Sequence, residues 1–380
     1  MDNPNTISDK QIYIRCDGNK EIATGHLMRC LSIATACVDK GAQVTFLVAD
    51  KESEQLLSDR MSAAMAEQIR IMNLQTDYRN TEEELPLLCQ ILMSYPCHCL
   101  LIDSYFVNPG YLETLSRLTK VAYMDDIYAF PYPEHTVINY APMADPANVC
   151  YQLAAEKLLG ISYAPVRNMF QGKSCPIRPQ VKKILLTAGG IHDGKCYLPI
   201  LENLFAFYDS PATTSSAGES AETSKTVPEI HLLLGAGDNT APEVRDYLEQ
   251  HPDLITHGYI QDMASFLCDF DLVFAAAGTT LYELCALGIP TCSFISADNQ
   301  IPSAMDFEAA GLIPCLGNTV PIPIPESEES IPVNPENIET HIKQFLSLAQ
   351  DVTLRQNAAS FMRKSLDQKG ASRIGDALLA

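Results

Sequence analysis

Hydroxyl and acidic side chains directly follow an apolar run in the second half of the chain. Leu272–Ala276 has the composition of a buried strand, and Gly278 lies in the turn after it. A helix is predicted to begin at Thr279 and Thr280. The free N–H groups of a helix N-terminus bind anions, although Ser or Thr there can cap them instead. Glu283, one turn further on, can reach the two hydroxyls of a ribose. This spacing indicates a nucleotide site; the alternative is an ordinary helix start in an α/β core.

A histidine at a second helix start could act as a base. Residues 12–16 are predicted to form the first strand, and a helix follows through Gly25 and His26. Apolar residues then recur at the spacing of one buried helical face. The positive end of the helix dipole disfavours a protonated imidazole, so we expect His26 to be neutral. A neutral imidazole there can accept a proton from water. The alternative is that His26 only caps the helix or packs.

Strands and helices alternate through both halves of the chain. Six strands are predicted in each half, with helices between them. Such alternation with short connections produces right-handed βαβ units and parallel sheets. We therefore expect an α/β protein with two Rossmann-like, doubly wound domains facing a cleft. Open α/β sheets bind ligands at the carboxyl ends of their strands, so His26 and Thr279 are both expected at that cleft.

The predicted boundaries follow changes in composition. Residues 1–164 are expected to form the N-terminal domain, the proline-containing residues 165–180 the linker, and residues 181–350 the C-terminal nucleotide-binding domain. Residues 351–380 are expected to be helical and to pack back on the N-terminal domain. Within the second domain, residues of about 209–228 are rich in Ser, Thr, Ala and Gly. They are predicted to be a disordered surface insertion.

Composition narrows the classes of function and the compartment. The chain has 380 residues and a formal net charge of −21, which argues against partners such as nucleic acids and anionic membrane surfaces. No apolar run is long enough for a membrane span, and the first residues lack the apolar segment of a signal peptide. The 13 cysteines lie scattered in apolar segments without a C-x-x-C pair. We therefore expect buried free thiols in a reducing cytoplasm.

The two helix starts belong to a pattern that resembles a known family. Residues 15–18 and 24–30 resemble the N-terminal motif of the UDP-sugar hydrolases of pseudaminic acid biosynthesis, the PseG family, which is related to SpsG-type spore-coat polysaccharide proteins. Residues 276–290 and 298–300 resemble the nucleotide half of that family and of its relative MurG. Shorter matches keep the family's order, so that the resemblance covers roughly residues 10–310: residues 101–105, residues 124–126, and Gly189 with Gly190.

The resemblance implies a GT-B fold and a cytoplasmic hydrolase without a cofactor. The implied reaction is metal-independent, inverting hydrolysis of a UDP-linked diacetamido-trideoxy-hexose, of the UDP-2,4-diacetamido-2,4,6-trideoxy-β-L-altropyranose type, to UDP and free sugar. One alternative is a MurG-like or spore-coat-polysaccharide glycosyltransferase, and another is a nucleotide-sugar-binding module without activity. The adjacent Asp125 and Asp126 look like a metal pair, but the implied chemistry needs no metal.

The implied catalytic residues lie around the first strand. His26 is the base, with Asp17 and Tyr105 beside it. Asp17 could orient water or His26, or could pair with Arg29. Tyr105 could donate to the sugar or a phosphate, or could pack at the edge of the core. The residues implied to contact the UDP-sugar come from both domains: Arg15, Gly25, Gly189, Gly190, Ile260, Met263, Gly278, Thr279, Thr280, Glu283, Asn299 and Gln300.

One loop departs from the family pattern. After Gly189 and Gly190 the family has Ser or Thr followed by Asp, whereas this chain has Ile191 and His192, with Asp193 one place late. Because that loop borders the substrate in such folds, the identity of the sugar stays open.

Overall fold

Residues 10–19, 22, 24–189, 192–209, 227–235, 239–324, 327 and 329–380 are described by the structure, a computed structural model. The chain divides into two units, Met1–Gln171 with Leu366–Ala380, and Gly172–Ser365. The predicted insertion at about residues 209–228 lies almost entirely outside the described residues, as does Gly190.

The first unit is built on a parallel sheet with helices between its strands. Its strands are β1 (Gln11–Cys16), β2 (Gln43–Val48), β3 (Ile69–Asn73), β4 (Cys99–Asp103), β5 (Lys120–Met124), β6 (Thr136–Asn139) and β7 (Glu156–Leu159). Its helices are α1 (Gly25–Asp39), α2 (Lys51–Ser58), α3 (Ala63–Ala66), α4 (Thr81–Ser94), α5 (Pro109–Ser116) and, from the end of the chain, α13 (Gly370–Leu379). The strand order is β3-β2-β1-β4-β5-β6-β7. The central strands β1 and β4 are mostly apolar and almost wholly buried, as is typical of a sheet covered on both faces.

The strand order of this sheet reverses between β1 and β4. Strands β2 and β3 lie on one side of β1, and the chain then returns to place β4 on the other side. Such a reversal opens a crevice at the carboxyl ends of the two central strands, where α/β sheets bind ligands. Cys16 pairs with Asp103 in the register of these strands. The segment that leads into α1 and the segment after β4 therefore leave the sheet side by side.

The second unit repeats the same architecture. Its strands are β8 (Lys183–Thr187), β9 (Glu229–Leu233), β10 (Ile255–His257), β11 (Leu272–Ala276), β12 (Thr291–Ile295) and β13 (Cys315–Asn318), with a short antiparallel pair, β14 (Ile322–Pro323) and β15 (Ser330–Ile331). Its helices are α6 (Leu198–Asp209), α7 (Pro242–Gln250), α8 (Met263–Leu267), α9 (Thr280–Leu287), α10 (Ile301–Ala309), α11 (Pro335–Ala349) and α12 (Val352–Ser365). The parallel order β10-β9-β8-β11-β12-β13 reverses between β8 and β11.

The predicted α/β class with two Rossmann-like domains is confirmed, and two elements differ in detail. The seventh strand, β7, was not predicted, because its first two residues are charged and exposed and so interrupt the apolar pattern. The helices after residue 350 divide between the units: α12 packs against α9 and α11, and only α13 packs against α1. Within the described ranges, no helix has both the length and the apolar composition of a transmembrane segment.

One pair of cysteines corrects the expectation of free thiols throughout. Cys175, which precedes β8, and Cys268, which follows α8, form a disulfide with Cα atoms 5.0 Å apart. The two residues are 93 positions apart, so no local spacing indicates the pairing. The other cysteines are free, and most of them are buried, as expected.

Candidate active site

His26 and Asp103 form a hydrogen-bonded pair where the strand order of the first sheet reverses. His26 lies on the first turn of α1, after Gly25, where an added side chain would meet no atom within 4 Å. Asp103 is the last residue of β4. Nδ1 of His26 lies 2.6 Å from Oδ1 of Asp103. Both side chains are buried, with 7% of His26 and 1% of Asp103 exposed. The pairing of β1 with β4 brings these two distant residues together.

Arg29, one turn further along α1, holds Asp103 in its ionised form. Its Nε donates to Oδ2 over 2.6 Å, and its Nη2 donates to Oδ1 over 2.5 Å. Burial alone would raise the pKa of Asp103, but the charge of Arg29 and the hydrogen bonds from Arg29 and His26 hold that pKa well below its usual range. Arg29 also donates to Asp126 over 2.9 Å and to Tyr140 over 2.8 Å. A carboxylate that stays ionised in this way can orient an imidazole and stabilise its protonated form.

The pair leaves the second imidazole nitrogen of His26 with a lone pair. An ionised carboxylate only accepts hydrogen bonds, so Nδ1 must carry the proton and Nε2 of the neutral ring is an acceptor. Among the described residues, none forms a hydrogen bond with Nε2. His26 also borders a small cavity of about 10 Å³ that is open to solvent, together with Ile22, Tyr78, Ser104 and Phe106. The arrangement can take a proton from a nucleophile in that cavity.

Tyr105 lies against His26 at the same cavity. The two ring centroids are 4.7 Å apart in an edge-on arrangement. The Tyr105 hydroxyl donates to Oδ2 of Asp126 over 3.0 Å. Burial, and then the Asp126 carboxylate, raise the pKa of Tyr105, so the phenol keeps its proton. Since that proton is engaged by Asp126, Tyr105 can offer a ligand the lone pairs of its oxygen, and its contact with substrate stays a prediction.

Asp17 belongs to a separate buried ion cluster. Arg15 donates to Asp17, and also to Glu84 through Nε over 2.8 Å and Nη2 over 2.5 Å. Asp17 further accepts the N–H of Ala49 over 2.7 Å. The alternative pairing of Asp17 with Arg29 is therefore wrong: Arg15, two positions away along extended chain, lies on the same side as Asp17. Burial raises the pKa of Asp17, which still lines the cavity. All three guanidinium nitrogens of Arg15 donate to carboxylates, so few of its N–H groups are left to contact a substrate.

The adjacent carboxylates Asp125 and Asp126 serve different partners. Asp125 accepts the hydroxyls of Tyr132 over 2.7 Å and Tyr151 over 2.6 Å. Asp126 instead accepts from Arg29, as above. In the part of the chain that the structure describes, no cluster of three or more His, Cys, Asp and Glu side chains is arranged for a metal ion.

In the second unit, open space lies where β8 and β11 end, on both sides of the reversal in strand order. Gly189 follows β8 with a φ of +87°, Gly278 follows β11, and an added side chain at either would meet no atom within 4 Å. Thr279 is the N-cap of α9 but makes no capping hydrogen bond through its side chain. Thr280 is the first helical residue, and Glu283 lies buried on the first turn. The N–H groups of Leu281 and Tyr282 donate to the carbonyls of Gly278 and Thr279, both over 3.1 Å, so the N–H groups of Thr279 and Thr280 are those left for an anion.

The other predicted substrate contacts lie on two further loops. Asn299 and Gln300 form a single helical turn before α10, and Asn299 is exposed. Oε1 of Gln300 accepts the N–H of Ser296 over 2.8 Å, which leaves its amide NH₂ to donate. Ile260 precedes α8 and Met263 begins it; both are partly buried. Contact of these residues with a nucleotide sugar stays a prediction.

Asp103 and Arg29 are the functional residues that sequence reasoning did not assign. One available signal was a carboxylate that ends a wholly apolar strand, β4. Another was the spacing of His26 and Arg29, three positions apart and so on one face of α1. Which strand neighbours β1 decides the pairing, and the pattern of apolar residues does not contain that information.

Comparison with known proteins identifies the fold. No family model and no curated protein sequence matches the chain. The solved structure of MurG from Acinetobacter baumannii is similar with a TM-score of 0.62 at 15% identity, covering 97% of this chain and 99% of that one. A glycosyltransferase from Rickettsia africae ESF-5 is similar with a TM-score of 0.60 at 11% identity, covering 97% of this chain and 98% of that one. UGT89C1 from Arabidopsis thaliana, complexed with UDP, is similar with a TM-score of 0.59 at 10% identity, covering 98% of this chain and 100% of that one. The chain therefore has the GT-B glycosyltransferase fold of two Rossmann-like domains.

Proposed function

We propose that the protein cleaves the bond between the anomeric carbon and the diphosphate of a UDP-linked sugar, with His26 as general base. The observation that carries this proposal is the His26–Asp103 pair, which leaves an imidazole lone pair at Nε2 beside an open cavity. The pair lies where a doubly wound sheet binds its ligand. An imidazole with this tautomer suits the removal of a proton from water or a hydroxyl group.

The proposed step uses water as the nucleophile. Water gives a proton to Nε2 of His26 while its oxygen bonds to the anomeric carbon. The bond from that carbon to the diphosphate oxygen breaks, and UDP leaves with the electron pair. Asp103 stabilises the imidazolium that forms. General-base assistance of this kind contributes roughly 10²–10⁴ to the rate. Attack opposite the leaving group inverts the anomeric centre.

The proposed site for the UDP group is the N-terminus of α9. At the N-terminus of α9, where Thr279 makes no capping bond through its side chain, the N–H groups of Thr279 and Thr280 would donate to a diphosphate. Donors placed at a developing negative charge contribute about 2.7–4 kcal/mol each to transition-state stabilisation. Glu283 on the first turn would accept the ribose hydroxyls. No metal ion enters this scheme.

Two observations support water as the nucleophile. The motif around His26 resembles the hydrolases of pseudaminic acid biosynthesis, which points to a diacetamido-trideoxy sugar as the substrate. The aromatic residues Tyr78, Tyr105 and Phe106 also line the cavity beside the base. The cavity beside them, of about 10 Å³, has room for about one water molecule.

Glycosyl transfer is the second candidate, and the structural comparisons favour it. The Rickettsia africae protein compared above is a glycosyltransferase by name, and the UGT89C1 structure is a complex with UDP. An acceptor hydroxyl would take the place of water at Nε2 of His26, with the same bonds formed and broken.

The two candidates differ in a single experiment. The purified protein is incubated in ¹⁸O-labelled water with a panel of UDP-sugars that includes the diacetamido-trideoxy compound, without an acceptor, and is followed by NMR and mass spectrometry. Hydrolysis predicts free sugar that carries the label and first appears as the inverted anomer. Turnover that requires an added acceptor would identify a transferase. Label in UDP would contradict attack at carbon and with it the proposed role of His26.

A matched pair of histidine variants tests the base. His26→Asn should keep UDP affinity but lose roughly 10²–10⁴ in turnover. His341→Asn, on α11 in the second unit, makes the same chemical change at a residue that belongs to neither the His26–Asp103 pair nor the loops at Gly189 and Gly278. It should keep full turnover. Normal turnover in His26→Asn would reduce this residue to a packing role.

A further inference from the structure

A second cavity lies in the second unit, at the carboxyl ends of β8, β12 and β13. Its walls include Ala188 after β8, Ser296 after β12 and Val320 after β13, together with His192 and Gln300. The cavity is open to solvent and has a volume of about 250 Å³. That volume lies just below the range of small-molecule sites, about 300–1,000 Å³.

The hydrogen bonds of Tyr197 fix the tautomer of His192. The Tyr197 hydroxyl donates to the carbonyl of Leu233 over 2.7 Å. Burial raises the pKa of Tyr197 well above its usual value, so the phenol has this one proton to donate. Nε2 of His192 lies 3.2 Å from the same hydroxyl oxygen and must therefore be the donor in that contact. Burial lowers the pKa of His192, which favours the neutral ring. The proton is consequently on Nε2, and Nδ1 is an acceptor.

Nδ1 of His192 is buried and has no hydrogen-bond partner among the described residues. A buried acceptor without a partner is costly, and such groups in folded proteins usually have one. The partner has to be a donor. Phosphate oxygens near neutral pH have almost no proton to give, whereas sugar hydroxyls and amide N–H groups do.

Most of the other polar groups of the cavity are also hydrogen-bond acceptors. Oγ of Ser296 donates to Oε1 of Gln300 over 3.2 Å, which leaves its lone pairs to accept. The Asp193 carboxylate also lines the cavity and only accepts. The amide NH₂ of Gln300 can donate. A ligand with several hydroxyl or amide N–H donors and one acceptor matches this set.

We propose that His192 is a specificity-determining residue that accepts a hydrogen bond, through Nδ1, from a hydroxyl or amide N–H group of the sugar of a nucleotide sugar. This inference rests on the proposed function, because it takes the ligand to be a UDP-sugar. It assigns the cavity to the sugar and the open loops at Gly189 and Gly278 to the diphosphate. It also gives a role to the residue at which the chain departs from the motif it otherwise resembles.

Leucine and asparagine variants at this position test the proposal, because the two side chains have nearly the same shape and only asparagine has an acceptor. Calorimetry would measure the dissociation constants of UDP and of three UDP-sugars: UDP-glucose, UDP-N-acetylglucosamine and UDP-N-acetylgalactosamine. The quantity of interest is the ratio of the UDP constant to that of the tightest UDP-sugar. His192→Leu should lower this ratio about 3- to 10-fold, the range for one lost neutral hydrogen bond. His192→Asn should keep most of it, and both variants should bind UDP as the wild type does.

The outcomes separate this inference from the function on which it rests. If the wild type binds neither UDP nor any UDP-sugar, the proposed function fails, and this inference with it. If UDP binds but no UDP-sugar binds more tightly, the sugar makes no contact at the cavity and the inference alone is overturned. Equal ratios in the leucine and asparagine variants would also overturn it. Unchanged UDP binding in both variants excludes misfolding as the cause of an altered ratio.

Discussion

Asp103→Asn is the sharpest perturbation of the candidate active site, because it changes charge without changing shape. In the wild type the carboxylate accepts from Nδ1 of His26 over 2.6 Å and from two nitrogens of Arg29. An asparagine amide can instead donate to Nδ1. That donation would favour the tautomer with the proton on Nε2 and would remove the lone pair that the proposed base needs. The same exchange in a Ser-His-Asp triad lowers turnover by about 10⁴ for this reason.

The magnitudes follow from the burial of the pair. We expect a loss of roughly 10²–10⁴ in turnover, the contribution of a general base. Removal of one partner from a buried ion pair costs about 3–5 kcal/mol of stability. Arg29 keeps Asp126 and Tyr140 as partners, so the lower end, about 3 kcal/mol, is expected. For a unit of this size that corresponds to a fall of about 6–12 °C in Tm.

The pH dependence of stability gives a second readout of the same variant. The folded-state pKa of Asp103 lies well below the ~3.9 of an unfolded Asp. Its stabilising contribution is therefore fully present above about pH 4 and is lost as the pH falls through the folded-state value. The difference in unfolding free energy between the wild type and Asp103→Asn should be largest near neutral pH and should narrow below about pH 4.

Asp126→Asn is the matched control. It removes another carboxylate from Arg29, but one whose side chain is 31% exposed and does not touch His26. We expect at most about 1 kcal/mol of destabilisation from it, with turnover close to that of the wild type. Release of UDP measures turnover, and calorimetric unfolding measures stability. If both variants lose turnover equally, the orientation of His26 by Asp103 is not what makes it a base, and the reasoning from the tautomer fails.

Three further perturbations test other parts of the structure. Glu283→Ala should weaken UDP binding by about 1–3 kcal/mol without added metal; unchanged binding by calorimetry would remove the ribose role. Replacing Cys175 and Cys268 by Ser should lower the free energy of unfolding of the second unit by up to about 4–5 kcal/mol, since the disulfide closes a loop of 93 residues; equal denaturant midpoints would contradict this. Gly370→Ala should destabilise the first unit by at least about 1–3 kcal/mol, because its methyl group would overlap the carbonyl of Ala164; an unchanged Tm would show that α13 can shift at little cost.

Local patterns were enough to predict the elements that carry the site, because each depends on its own residues. The apolar run of β11, the small turn at Gly278 and the helix after it appear in the structure as predicted. The helix start at His26 does so as well. These features depend on burial and on helix periodicity, which a short stretch of sequence contains.

The partners of these residues could not be predicted, because they depend on the order of strands in the sheet. His26 meets Asp103 only because β4, and not β3, lies beside β1. The Cys175–Cys268 disulfide depends in the same way on where α8 and the start of the second unit lie. The contact of Arg15 with Asp17 was easier to predict from the sequence, because residues two positions apart in an extended chain lie on the same side.

The return of the chain to its first unit has a consequence for synthesis on the ribosome. Helix α13 covers α1 and is fixed to the first unit by hydrogen bonds, Arg373 to Ser162 over 2.7 Å and Lys120 to Ala377 over 2.8 Å. The whole second unit, Gly172–Ser365, lies in the sequence between α13 and the rest of the first unit, so it is translated before α13. During translation the side of α1 that α13 later covers therefore stays exposed in the nascent first unit. The second unit is one continuous segment and can complete its own core as it emerges. A translation pause before Leu366 would prolong that exposure, and chaperone binding is expected to concentrate on this face.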